Sequence, residues 1–383
     1  VKNKHTQYYK RWLRGISRFS NAKPTLKTSK SSNQWECVGP WDFDKDAASR
    51  SYAPGAAHVY TIEQAASNPN VLYAGSATAG AWKTIDKGDN WNLITQDLFL
   101  NGVYAIEIDF TNPEIIYISG NGGIYKSYDG GVNWTVIGNA TFTALSHSTK
   151  DIKLSTTNNQ ILFIASDEGL FKSIDGGNNF TLIMNGNFLE IEFHPSNPNT
   201  MYFVKQAGDS TLFYRSDNGG NTLTNFTNGW PNPNSVGGQQ KRTEIAISPA
   251  APDKIVALAT GSANGGSGLY GIYISDDKGE NWTFQCCGPQ PAGPPDSVNI
   301  NMMGWQPDGS DDGGQYYYDL GLAVNPTNAD IIHVGGVQHW ISFDNGVSFT
   351  CPAKWSEPHK KGYVHADIHD INYFGNDLWF ACD

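Results

Sequence analysis

Three sets of residues in this sequence have the types and spacing to do chemistry. His365, Asp367 and His369 alternate, so on one strand all three would face the same way. Two imidazoles and a carboxylate form a transition-metal ligand set, and a hydrogen-bonded polar cluster in a core is the competing reading. Asp308-Gly-Ser310-Asp-Asp312-Gly313 matches the opening of a calcium loop, D-x-[DN]-x-[DN]-G, with Ser at the third place. Its twelfth place falls on Asp319 instead of the usual Glu, a shorter ligand. Calcium is the cofactor this pattern implies, against the alternative of an acidic solvated turn. Finally, Trp230, Trp305, Trp340 and Trp355 are flat rings that could stack on sugars or on a protein partner, or serve in packing. Asp319 and Asp367 are also the candidate catalytic carboxylates.

The elements that must position these groups come from a repeat. Thr84-Ile-Asp86-Lys-Gly88-Asp-Asn-Trp91 recurs as Ser127-Tyr-Asp129-Gly-Gly131-Val-Asn-Trp134 and Ser173-Ile-Asp175-Gly-Gly177-Asn-Asn-Phe180. Further copies are centred on Asp277 and Asp344, and a degenerate one on Asn218. The pattern is Ser/Thr-x-Asp-x-Gly-x-x-aromatic. Successive centres lie 43, 46, 43, 59 and 67 residues apart, and the basal spacing fits one four-stranded propeller blade. Short apolar strands such as Val71–Gly75, Ile115–Gly120 and Ile161–Ala165 precede most copies. The Ser/Thr and Asp side chains can bond turn backbone groups, Gly supplies the positive-φ position, and the aromatic opens the next strand. With 41 Gly, 13% aromatic and only 16% charged residues, the composition favours short strands and tight turns over helical bundles.

These repeats resemble Asp-box motifs. Asp-box (BNR-like) propellers include sialidases, sortilin-like receptors, xyloglucanase-type glycosidases and photosystem-assembly-factor-like proteins. The resemblance implies an all-β β-propeller of four-stranded blades, with the boxes on peripheral turns away from any active site. Asp86, Asp129, Asp175, Asn218, Asp277 and Asp344 are therefore expected to be structural. About seven blades are expected, spanning residues 33–383, with the last blade incomplete. Asn33–Gly39 reads as an orphan outer strand that closes the ring. The last blade would start at Tyr363–His369 and run through Leu378–Cys382, its box falling beyond Asp383, so the whole protein is expected to be longer.

Residues 1–32 stand apart. Residues 1–35 carry nine basic side chains and no acid, while the whole chain has a net charge of −11. Tyr9, Trp12, Leu13 and Ile16 trace one face of a short helix. An acidic body repels phosphate backbones, which argues against nucleic acid as a partner. No apolar run approaches the roughly 20 residues of a membrane-spanning helix. Five cysteines (Cys37, Cys286, Cys287, Cys351 and Cys382) lack any C-x-x-C spacing.

A closer resemblance covers nearly the whole sequence. The basic Tyr-Lys-Arg-Trp start, Trp35 to Pro40, Gly75–Lys83, Tyr317–Pro326 and His365–His369 together look like large secreted Bacteroidetes proteins exported by the type IX secretion system. That resemblance implies an extracellular or outer-membrane location after signal-peptide removal, with the export machinery as a partner. Asp209-Ser-Thr and Asp296-Ser-Val match the short O-glycosylation pattern of such proteins.

The sialidase reading fails on arginines. Only Arg50, Arg215 and Arg242 lie outside the tail, and none sits in an Arg-Ile-Pro context. A xyloglucanase-type enzyme needs two inward carboxylates. Asp42, Asp44, Asp308, Asp319 and Asp367 qualify by type, and no spacing selects a pair. The two longest repeats carry their excess at 228–241 and 286–316, in connections expected beside the central channel, where binding loops concentrate. The leading expectation is an exported recognition protein binding a glycan or protein through these loops. The alternatives are a glycoside hydrolase acting on a polysaccharide and a structural component of an envelope or secretion assembly.

Overall fold

The chain divides into two compact units, residues 1–53 and 54–383. The computed structural model describes residues 58–383 apart from 99, 101, 121–122, 144–147, 232–238, 264–265, 288–299, 312 and 358–359. The proposed closing strand 33–39, the helix near 9–16, Asp42, Asp44, Arg50 and Asp312 all lie outside the described residues.

The described part is an all-β propeller of six four-stranded antiparallel sheets. Blade 1 runs outward through Val59–Gln64, Leu72–Ser76, Gly80–Thr84 and Asn92–Leu93. The inner strands of blades 2 to 6 are Ile106–Ile108, Thr149–Ser155, Phe188–Phe193, Gln239–Ser248 and Gly321–Val324. Six blades stand where about seven were expected. After blade 6 the chain forms a two-stranded sheet, Ile368–Phe374 with Asp377–Cys382, and among the described residues no third strand joins it.

The second strand of each blade is sandwiched between neighbouring sheets, and its sequence is accordingly apolar without alternation. Leu72–Ser76 and Ile116–Gly120 are buried at every position. The cores lie between blades instead of within them. Tyr73 of blade 1 packs with Ile106, Ile116 and Ile118 of blade 2. Phe163 and Leu170 of blade 3 pack with Phe188, Ile191 and Phe203 of blade 4. Ile62 and Leu72 of blade 1 pack with Ala381 of the two-stranded sheet, and Ile368 and Ile371 of that sheet pack with Ala323 of blade 6. The apolar contacts therefore run unbroken around the circle, and no blade has a core without its neighbours.

The repeated turns share one hydrogen-bond pattern. In all six, the Ser/Thr hydroxyl donates to Oδ1 of the Asp or Asn two residues on, at 2.7–2.9 Å. It accepts from the glycine N–H four residues on, at 2.8–3.0 Å. The same Oδ1 accepts the backbone N–H four residues beyond it, at 2.8–2.9 Å. Gly131 adopts φ 93°, and a Cβ there would meet Ile94 of blade 1 at 2.7 Å, so both conformation and space demand glycine.

These turns also receive a staple from the preceding blade. Lys126, Lys172 and Arg215 donate to the carbonyls of Gly176, Gly219 and Lys278 at 3.1, 2.7 and 3.1 Å. Each staple residue immediately precedes the Ser of its own blade's turn.

Candidate functional site

Inner strands begin on one face of the propeller, and the third strand of each blade runs parallel to the first. The aspartate turns follow the third strand, so they lie on the opposite face. The connections between blades therefore build the mouth of the central channel, a cavity of about 1060 Å³.

Inside the channel a belt of carboxylates joins neighbouring inner strands. Glu107 accepts the N–H of Leu154 at 2.9 Å, and Asp151 that of Ile191 at 3.0 Å. Glu190 accepts from Ile245 at 2.7 Å, and Asp370 accepts from Ile62 at 3.2 Å. Lys153 faces Glu192 at 3.7 Å, and Arg242 donates to Glu244 at 2.8 Å. The carboxylates are only partly buried toward the channel water but are ringed by protein on every other side. That surrounding raises their pKa values: to about 8 for Glu107, about 7 for Glu244 and about 6 for Asp370, with burial the main cause. Glu63 and Glu190 are pushed well above the ordinary carboxylate range for the same reason. The belt escaped the sequence reading, although its signal is visible as an acid followed by Ile: Glu107-Ile108, Asp151-Ile152, Glu190-Ile191, Glu244-Ile245 and Asp370-Ile371.

Asp319 and Asp367, which are not among the residues bordering the cavity, come together through Gln315. Gln315 Nε2 donates to Asp319 Oδ2 at 3.4 Å and also to Asp367 Oδ1. Asp319 is 1% exposed, and its Oδ1 has no partner. Burial, then the Asp367 charge, lifts Asp319 to about 7. Burial, then Asp383, lifts Asp367 to about 6. Burial and mutual repulsion thus let the pair hold a proton near neutrality. Gln315 had no signal in the sequence.

The His365–Asp367–His369 set does not form. The strand starts only at Ile368, and Asp367 adopts φ 59°, which ends the alternation before it begins. His365 Nδ1 lies 3.2 Å from the Ala366 carbonyl, while His369 Nε2 lies 2.9 Å from Asp383. The calcium-loop residues also part company. Asp308 accepts the Ser310 N–H at 3.0 Å in its own exposed turn, and Asp319 is buried beside Gln315. Among the described residues, no three His, Cys, Asp or Glu side chains are arranged to hold a metal.

The four tryptophans split evenly. Trp230 is 6% exposed and packs edge-on to Trp282 at 4.8 Å, while Trp340 is 2% exposed in the core between blades 5 and 6. Both are core residues and present no ring to a ligand: Trp340 lies within the third strand of blade 6, His339–Ser342, and Trp230 packs against Phe213 and Trp282. Trp305 and Trp355 are 45% and 39% exposed. Gln338 holds them together, donating to the Trp305 carbonyl at 2.7 Å and accepting the Trp355 N–H at 3.2 Å. Tyr317 lies further along the same connection as Trp305 and is also exposed. Near the start of that connection Cys286 and Cys287 are disulfide-bonded to each other and buried, whereas Cys351 and Cys382 are free.

No family model and no curated protein matches this chain. Solved structures do. A GH74 enzyme of Niastella koreensis is similar at 21% identity and TM-score 0.53, over 77% of this chain and 45% of that one. The GH74 xyloglucanase of Xanthomonas campestris is similar at 14% identity and TM-score 0.60, over 86% and 51%. YCF48 bound to D1 peptide is similar at 15% identity and TM-score 0.56, over 85% and 89%. The chain thus spans about half the length of the two GH74 structures. At these identities the likeness establishes a shared propeller fold.

Proposed function

We propose that this chain is an exported recognition protein whose aspartate turns are Asp-box turns and whose channel mouth binds a glycan or protein partner at or outside the cell surface. The observation that carries this reading is a set of exposed aromatic rings on the connections between blades: Tyr104 and Tyr317 border the cavity, and Trp305 and Trp355, tied together through Gln338, lie on the connections before and after blade 6. Exposed rings fixed by hydrogen bonds can bind without first being ordered. Both roles occur among the similar propellers, one of which carries a peptide while others are glycoside hydrolases. Export through the type IX system belongs to this proposal through the sequence resemblance alone. The test is binding of immobilised protein to a glycan array and a peptide library. A ligand whose binding falls at least about tenfold in both Trp305→Ala and Tyr317→Ala supports the reading. Absence of any ligand, or indifference to both substitutions, defeats it.

A second reading is favoured by the Asp319–Gln315–Asp367 group. A glycoside hydrolase uses a pair of carboxyls, one protonated as acid and one ionised as base or nucleophile, and Asp319 beside Asp367 is a pair of the right type. Release of reducing sugar from a polysaccharide panel, abolished in both Asp319→Asn and Asp367→Asn, would establish hydrolysis. Its absence across the panel leaves recognition as the sole function.

A further inference from the structure

Four rings stand in one run at the mouth end of the channel. Tyr60 and His369 each lie second in the first strand of their sheet, and Tyr104 and Tyr318 lie on connections leading into such strands. The Tyr60 centroid lies 5.1 Å from Tyr104, 6.3 Å from Tyr318 and 4.1 Å from His369. His369 is buried between two groups that accept hydrogen bonds. Its Nδ1 lies 3.2 Å from the Tyr318 carbonyl, and its Nε2 lies 2.9 Å from Asp383 Oδ1. A neutral imidazole carries one N–H, so in either tautomer one contact would set a lone pair against a lone pair. Both are hydrogen bonds only when the His369–Asp383 pair holds a second proton.

Asp383 makes a like demand on Asp367. The two carboxyls are hydrogen-bonded to each other, which requires a proton on one of them. Asp383 also accepts from the Tyr318 hydroxyl at 3.2 Å. With three donors converging on it, Asp383 is the group that stays ionised, so the protons belong to His369 and Asp367. His58 Nδ1 lies 2.6 Å from the same hydroxyl and 3.3 Å from Asp383. Arg242 donates to the Tyr318 carbonyl at 3.3 Å and is itself paired with Glu244. His365 faces Asp367, Cys382 faces Asp383, and Asp319 meets Asp367 through Gln315.

We propose that Asp383 is a proton-dependent latch on the mouth: with His369 and Asp367 protonated it gathers both, together with Tyr318, and fixes the run of rings, and without those protons the latch opens. The proton that His369 keeps faces the carboxylate, the stronger acceptor, so the contact that opens is the one to Tyr318. Ionised Asp367 then repels Asp383. Burial holds the His369 pKa below its ordinary value, and burial, then Asp383, lifts that of Asp367 to about 6. The latch is therefore complete only in acid, below about pH 6, and open at neutral pH and above. As regulation of binding, the inference rests on the recognition reading; the latch itself does not.

NMR of the full chain between about pH 5 and 8 tests it. Histidine labelled with nitrogen-15 reports the ring protons, with His369→Gln assigning the signal. Fluorotyrosine reports the rings, assigned through Tyr60→Phe and Tyr318→Phe. The expected result is a His369 ring doubly protonated in acid and singly protonated at alkaline pH, with the Tyr60 and Tyr318 signals moving at the same midpoint. In Asp383→Asn the side-chain amide can donate to Nε2, which removes the demand for a second proton. The proton affinity of His369 should then fall at least about tenfold, and the tyrosine signals should no longer follow pH. Where Asp383→Asn does not fold, Asp367→Asn serves: its amide donates to Asp383 at every pH, so the tyrosine midpoint should move upward. A His369 ring carrying one proton throughout, or tyrosine signals that titrate unchanged in the folded variants, overturns the latch. A ligand of the mouth bound equally across this pH range leaves recognition standing and overturns the latch as its regulator. A latch that titrates as expected while no ligand is found stands by itself and leaves only recognition defeated.

Discussion

The rim and the hub of this propeller solve the same problem with opposite charges. At the rim, Lys126, Lys172 and Arg215 donate to carbonyls in the next blade's turn. At the hub, Glu107, Asp151, Glu190 and Asp370 accept from amides of the neighbouring inner strand. Both devices fasten one blade to the next, and they differ in surroundings. Rim carboxylates stand in water, and hydrogen bonds from the side chain four residues on hold Asp86, Asp129, Asp175 and Asp344 below the usual carboxyl range. Hub carboxylates crowd one another inside a channel, and their pKa values rise. The same residue type thus favours its charged form at one radius and resists it at another.

The largest expected effect comes from breaking a rim turn. The Ser127 hydroxyl is buried, donates to Asp129 and accepts from Gly131 N. Ser127→Ala leaves those partners unmet and should cost about 1–3 kcal/mol, read as a lower midpoint in urea with unchanged slope.

The pH dependence should separate the two regions by sign. The folded values of Asp370, Glu244 and Glu107, about 6, 7 and 8, lie above those of the unfolded chain. Between about pH 4 and those values the native state holds protons that the unfolded chain has released. Raising the pH through this window therefore lowers stability. The rim carboxylates act in reverse, since their contribution is lost only as pH falls below about 4. The melting temperature should accordingly peak in mildly acidic solution, and Glu107→Gln should flatten its decline toward alkaline pH. A melting temperature that rises steadily from pH 5 to about 8 would contradict the hub assignment.

The smallest effect sharpens the comparison most. Asp129→Asn at the rim removes charge from bonds to exposed partners and should leave the urea midpoint nearly unchanged, as the natural Asn218 turn leads one to expect. Asp151→Asn at the hub keeps an acceptor for Ile191 while relieving crowding, and should be neutral or stabilising. Equal losses at both sites in parallel urea titrations would mean that environment does not distinguish the two regions.

Legibility in the sequence followed distance along the chain. Each aspartate turn closes its bonds within about six residues, so residue types and spacing were enough to recognise it. The hub bonds join residues 40 to 308 positions apart, and an acid before an isoleucine carries no mark of its partner. Asp319 and Asp367 were picked out singly by type, while their meeting through Gln315, 52 residues from Asp367, was not visible. Trp230 and Trp340 were indistinguishable from Trp305 and Trp355, because exposure is a property of what packs above a ring.

By itself the sequence determined the blades: a turn cassette repeated six times, each preceded by an apolar strand too short to bury itself, dictates sheets that must find neighbours. Only the tertiary structure decided how many blades are complete, which carboxylates face one another and which rings remain in water. Those outcomes depend on closing the circle, which brings distant residues into one channel and sets the local dielectric that local sequence cannot encode.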